Sequence, residues 1–309
     1  MEVLKDFVII ILCIVVIAKG ATWLVDSAVK IAHFFGISEL VIGLTIVAMG
    51  TSAPEFGVTI LAALRGMGDI SVGNIVGSNI FNLGFILGGT AIIHSLKTNK
   101  TIIRRDGAFL FFGSILLTVL LWNLSLCRIE GCVLFTLLIV YLGYIYWKKE
   151  TLETETHSGE LRWWDPFLLL LGMGMVLSSS HFLVESAINL AKIFGISEWV
   201  IGATIVAAGT SAPEFATSLV AALRGHHGIS VGNLLGSDIF NLFGVLGLAA
   251  ILRDLPVDIG ARSNLIILSL MVLVVIIFMR TGWQISRKEG VALVCMGLAR
   301  WVFSFAQKL

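Results

Sequence analysis

Residues 36–82 and 195–241 are two copies of one segment, offset by 159 positions without a gap and identical at 33 of 47 places. A chain with such a duplication is built as two related halves, and each half must house the same peculiarity. That peculiarity is a long apolar run broken by Gly-Thr-Ser-Ala-Pro-Glu, at Gly50–Glu55 and again at Gly209–Glu214. A proline and a glutamate inside an apolar helix are both costly, so their repetition constrains the fold more than any other feature.

The medium follows from composition. The chain is 57% hydrophobic and 13% charged, whereas a soluble domain carries about 25% charged residues. The expectation is an all-α polytopic membrane protein. About 20 apolar residues cross a bilayer, and ten runs qualify: 7–29, 39–64, 71–93, 107–124, 130–147, 166–190, 198–223, 230–252, 264–280 and 289–306. The first continues into a polar-flanked helix and reads as a span, not a cleaved leader. The organisation expected is a first five-helix half (1–147, with repeat one at 36–82), a short acidic cytoplasmic linker (148–165) and a second half (166–309, with repeat two at 195–241). Trp163 and Trp164 close the linker as interfacial anchors. The net charge of +1 and the lack of a basic run give no sign of a nucleic-acid partner. Cys13, Cys127, Cys132 and Cys295 form no C-x-x-C pair and read as membrane-buried thiols.

Counting Lys and Arg in the loops puts twelve inside and seven outside if the N-terminus is outside, which favours N-out and C-out. The two copies lie five spans apart. An odd separation inverts the second relative to the membrane, the arrangement of secondary transporters that bind substrate near the midplane where the repeats meet.

Pro54 has no N–H and crowds the carbonyl of Gly50, and it pushes Ala53 from helical angles. Each helix is therefore expected to break around Gly50–Pro54 and Gly209–Pro213, freeing carbonyls that lipid cannot satisfy but a cation can. Thr51 and Ser52 share a helix face with Glu55, and Thr210 and Ser211 with Glu214. The following spans add Asn74, Ser78 and Asn82, then Asn233, Ser237 and Asn241. These are hard oxygen ligands suited to Ca²⁺, Mg²⁺ or Na⁺ and unsuited to zinc or copper. Carboxylates at membrane depth mark ion or proton paths. Gly73–Gly77 and Gly232–Gly236 are G-x-x-x-G pairs, expected to pack each of these spans closely on a neighbour.

The pairing of "GTSAPE" with "VGNIVGSNIFN", and again of "GTSAPE" with "VGNLLGSDIFN", resembles the two α-repeats of the cation/Ca²⁺ exchanger superfamily, nearest its Na⁺/Ca²⁺ branch. The resemblance implies two inverted five-helix halves and alternating access. It implies ion ligation by the Ala48 carbonyl, Thr51, Ser52, Glu55, Ser78 and Asn82, and by the Ala207 carbonyl, Thr210, Ser211, Glu214 and Ser237. Some relatives carry Asp where this chain has Asn241; in the K⁺-dependent branch that Asp is tied to K⁺, so Asn241 argues against K⁺ dependence. Here the acid stands three residues earlier, at Asp238, where repeat one has Asn79. Asp238 faces either the ion site or a helix contact. The linker is too short for the Ca²⁺-sensing domains of animal relatives.

The implied activity is Na⁺/Ca²⁺ antiport by a functional monomer in a prokaryotic cytoplasmic membrane, with Ca²⁺ and Na⁺ as cargo, lipid as surroundings and no cofactor. Ca²⁺/H⁺ antiport, with Glu55 and Glu214 carrying protons, is the alternative, and a cation channel is the alternative from another class. Spans one and six, with Gly172 and Gly174, are candidates for a sliding gate. Other features have plainer readings. Asn74 and Asn233 are helix–helix glue. Asp26 and Glu185 sit near helix ends, Lys19 snorkels or pairs, and His226–His227 has no repeat equivalent. "GMGD" at Gly66–Asp69 echoes an intramembrane protease motif but lacks its partner, and nothing points to an enzyme.

Overall fold

The computed structural model describes residues 2–148, 160–195, 201, 205 and 207–306; most of the expected linker and part of the expected span at 198–223 lie outside them. The described chain is helical apart from two-residue strands. Helix α1 (Glu2–Phe35) is followed by α2 (Glu39–Thr51) and α3 (Ala53–Leu64), which meet at a 52° bend. Then come α4 (Gly68–Ile93), α5 (Ile102–Asn123), α6 (Arg128–Lys148) and α7 (Asp165–Ile193). The second copy supplies α8 (Ala207–Thr210), α9 (Ala212–Leu223) and α10 (His227–Leu252). Helices α11 (Gly260–Arg280) and α12 (Arg287–Ala306) complete the set.

Among the described residues, seven helices are long and apolar enough to cross a bilayer, and the bent α2–α3 pair makes an eighth. The chain is an integral, polytopic membrane protein. Helices α4 and α10 are the most buried of these and α1, α6 and α7 the least. The outer helices turn Ile11, Leu12, Val15, Phe167 and Leu170 outward, as a lipid-facing surface requires. Helix α1 packs along α7 with almost no gap at the crossing: a Cβ on Gly172 would lie 2.6 Å from the Gly20 carbonyl oxygen.

The helix break falls within the expected stretch, but at Ser52 and not at the residue before the proline. Helix α2 begins with the Ser38 hydroxyl accepting from the Val41 N–H (3.3 Å), passes through a π-helical stretch at Gly43–Val47, and stops at Ser52 (φ −79°, ψ 10°). Ala53 is already inside α3, with Pro54 in its first turn. Proline is tolerated there because a first-turn N–H has no intrahelical partner anyway. The residue off helical geometry is thus Ser52 and not Ala53, and Ser211 (φ −92°, ψ 10°) repeats it.

Strands β1 (Leu96–Lys97), β2 (Ser125–Leu126), β3 (Leu255–Pro256) and β4 (Gln284–Ile285) tie the halves together. Strand β1 pairs with β4, and β2 pairs with β3. Adding 159 to β1 gives β3, and adding 159 to β2 gives β4. Each half therefore lends a strand to the other, reciprocally, as in a two-fold contact.

Candidate cation site

The two breaks meet α4 and α10 at the centre. Ala48, Thr51, Ser52, Glu55, Ser78, Asn82, Ser211, Glu214, Ser237, Asp238 and Asn241 are all buried, while Thr210 is half-buried at the end of α8. Ala207 opens α8. The expected residues of both copies, save Ala207, are thereby placed relative to one core.

The hydroxyls work across the copies. Ser52 donates to a carboxylate oxygen of Glu214 (3.0 Å), and Ser211 donates to one of Glu55 (2.9 Å). Thr51 Oγ1 lies 3.3 Å from the Ala48 carbonyl, 3.0 Å from Asn233 Oδ1 and 3.4 Å from Ser237 Oγ. Ser237 also reaches the Ala48 carbonyl at 3.5 Å. The Ala48 carbonyl thus faces two hydroxyls of the site.

Asparagines brace this centre. Asn74 Nδ2 donates to Thr59 Oγ1 (2.9 Å) and the Glu55 carbonyl (3.3 Å). Asn233 Nδ2 donates to Ser218 Oγ (2.9 Å) and the Glu214 carbonyl (3.4 Å). Both fix the backbone of the glutamate-bearing helix, as helix–helix glue would. Asn79 donates to the Asp238 carbonyl (3.0 Å), Asn82 to Asp238 Oδ1 (3.0 Å) and Asn241 to Asn79 Oδ1 (3.1 Å). Asn82 opens a π-helical stretch (Asn82–Leu87), and Asn241 lies in its counterpart (Phe240–Val245); such wide turns are frequent at functional sites. Thr59, Ser218 and Asn79 were not among the residues singled out in the sequence. Their signal was present, because Thr59 and Ser218 are repeat-equivalent hydroxyls one turn beyond each glutamate.

What is left over defines the chemistry. Glu55 Oε2, Glu214 Oε2, Asp238 Oδ2, Asn82 Oδ1 and Asn241 Oδ1 are buried without a hydrogen-bond partner. Buried polar atoms are normally satisfied, and here those that are not are all oxygens, three of them on carboxyl groups. Such a set suits a hard cation.

The G-x-x-x-G expectation holds for one copy and fails for the other. A Cβ on Gly232 would lie 2.7 Å from the Leu40 carbonyl, and one on Gly236 would lie 2.6 Å from that of Leu44. Gly73 and Gly77 have no such neighbour and line a cavity instead. The plainer readings also find places. Asp26 pairs with Arg224 at 2.5 Å, Lys19 lies over Trp23, and Glu185 is exposed. His226 contacts Glu39, and Asp69 accepts from the Asp258 N–H.

An all-helical membrane protein with a buried acidic centre of oxygen donors belongs to the class of cation transporters, not enzymes. The sequence profile of the sodium/calcium exchanger protein family matches residues 5–147 and 164–305, and the chain belongs to that family. It is 36% identical to the putative antiporter CaxA of Alkalimonas amylolytica over 302 residues, covering 93% of this chain and 94% of that one. It is 33% identical to the sodium/calcium exchanger MaX1 of Methanosarcina acetivorans over 347 residues, covering 97% and 98%. Its fold matches a solved structure of the sodium-calcium exchanger NCX_Mj with TM-score 0.86 and 29% identity, over 99% of this chain and 100% of that one.

Proposed function

We propose that this protein exchanges Na⁺ for Ca²⁺ across a prokaryotic cytoplasmic membrane by alternating access. The observation that carries the reading is the reciprocal pair Ser52–Glu214 and Ser211–Glu55, with a second carboxyl oxygen of each glutamate buried and unpartnered. Two carboxylates balance one Ca²⁺, and the surrounding hydroxyl, amide and carbonyl oxygens fill the remaining coordination that Ca²⁺ demands. In this reading Glu55 and Glu214 are ligands. Thr51, Ser52, Ser78, Asn82 and the Ala48 carbonyl serve from the first copy. Thr210, Ser211, Ser237, Asn241 and the Ala207 carbonyl serve from the second. Asp238 supplies a third carboxyl group, held by Asn82, for the sodium-bound state.

The architecture proposed is ten spans in two inverted halves, 1–147 and 166–309, joined by a cytoplasmic linker at 148–165, with both termini outside. The exchanged strand pairs and exchanged Ser–Glu pairs support a two-fold relation between halves. The odd number of spans between copies supports its lying in the membrane plane. Both halves of the site come from one chain, so a monomer suffices. Sliding of α1 and α7 against the core is the proposed gating motion.

The test is ⁴⁵Ca²⁺ uptake into Na⁺-loaded proteoliposomes diluted into Na⁺-free buffer with a protonophore present. Uptake that requires internal Na⁺ and is lost in Glu55→Ala is the expected result. Uptake that ignores Na⁺ and follows an outward-directed proton gradient would replace this reading with Ca²⁺/H⁺ exchange.

A further inference from the structure

Between α4, the start of α11 and the end of α12 lies a cavity of about 300 Å³, lined among others by Asp69, Gly73, Gly77, Asp258, Asn264 and Arg300. Arg300 stands near the C-terminal end of α12. Its Nη2 donates to Asn264 Oδ1 (3.1 Å), while its Nε is buried with no hydrogen-bond partner. Among the described residues no carboxylate pairs with it. A partly buried guanidinium without an anion is costly, so a cavity beside one invites an anionic ligand.

The repeat shows what would match it. In the first half the equivalent positions are Tyr141 (for Arg300) and Arg105 (for Asn264). There the guanidinium of Arg105 binds both carboxyl oxygens of Asp106, at 2.6 and 3.1 Å, and Tyr141 donates to the same group at 2.8 Å. In the second half the place of Asp106 is taken by Leu265. A cationic side chain stands at the tyrosine's position instead, no anion is built in beside it, and a cavity opens there. At the mouth stand two exposed carboxylates, Asp69 and Asp258, the first held by the backbone N–H of the second (2.7 Å).

We infer that this cavity binds a phospholipid headgroup that carries both charges, as phosphatidylethanolamine does. The phosphate sits on Arg300 beside Asn264, a guanidinium being well shaped for phosphate oxygens. The ammonium lies outward, between Asp69 and Asp258. Gly73 and Gly77, where a Cβ would meet open space, leave room for the glycerol and upper acyl chain. The site is separate from the ion-binding centre and stands whether or not the transport reading does.

Native mass spectrometry of the delipidated, detergent-solubilised full chain tests this, with phosphatidylethanolamine, phosphatidylglycerol or inorganic phosphate added. One phosphatidylethanolamine per chain is expected, held about tenfold more weakly in Arg300→Gln, with no competition from millimolar inorganic phosphate. The exposed double variant Asp69→Asn/Asp258→Asn is expected to fold normally and to lose the preference for phosphatidylethanolamine over phosphatidylglycerol. Wild-type retention of lipid by Arg300→Gln, or an unchanged preference in the double variant, would overturn the inference. Displacement of lipid by inorganic phosphate would do the same, assigning the pocket to a soluble anion.

Discussion

The Ser52 hydroxyl donates to Glu214 at 3.0 Å, across 162 residues of chain, and Ser211 returns the contact to Glu55. Each copy's serine, released from helical geometry by the neighbouring proline turn, holds the other copy's carboxylate in place.

That reciprocity predicts matched effects. Ser52→Ala and Ser211→Ala each remove one hydrogen bond to a carboxylate, worth about 1.5–3 kcal/mol. Each is expected to weaken Ca²⁺ binding by about 10–100-fold, measured by calorimetry in detergent. A loss in one variant with the other unaffected would contradict equivalent roles for the two serines.

Charge removal is expected to be more severe. Glu55→Gln and Glu214→Gln leave one carboxylate to balance a divalent ion in a water-poor site. Each is expected to weaken Ca²⁺ binding by at least about 100-fold and to bring Na⁺-driven ⁴⁵Ca²⁺ uptake to background. Appreciable exchange in either variant would remove that glutamate from the ligand set.

Asp238→Asn recreates the residue that repeat one carries at Asn79. Its Oδ1 can still accept from Asn82, so the fold is expected to survive. If the third carboxyl group serves sodium, the Hill coefficient for Na⁺ in exchange falls by about one, with Ca²⁺ affinity within about threefold. An unchanged sodium curve would make Asp238 a strut between α4 and α10.

The glycine asymmetry predicts unequal tolerance. At Gly236 an added methyl would collide with the Leu44 carbonyl and Cα at 2.6 and 2.7 Å, whereas at Gly77 it meets nothing. Gly236→Ala is expected to destabilise by about 1–3 kcal/mol. Gly77→Ala is expected to be neutral or slightly stabilising, since alanine favours helix. Thermal unfolding in detergent separates the two; equal melting points would refute the close approach of α10 to α2.

Much of this centre was legible in the sequence because the duplicated, costly string Gly-Thr-Ser-Ala-Pro-Glu could only be explained by a buried polar site. The i, i+3 and i, i+4 spacings pointed to Thr51, Ser52 and Glu55 as one polar group, and all three are buried, but spacing describes one helix. It cannot show that Ser52 serves Glu214 and not Glu55, which depends on how the copies face each other. The break fell at Ser52 because proline is accommodated in a first turn, a preference that competes with its effect on Ala53. The unequal glycine pairs were beyond reach for another reason: identical motifs in the two copies meet different neighbours, so identity of sequence conceals a difference of packing.

The exchanged strands have a consequence for how the chain is made. Lys97 pairs with Gln284, which is synthesised 187 residues later (284 − 97). At typical elongation rates of about 5–20 residues per second, that is a wait of roughly 10–40 s. Throughout that interval the first half has an unpaired strand edge and the Ser52 hydroxyl lacks its acceptor, Glu214. The loop that carries Gln284 and Ile285, made last, therefore closes the structure.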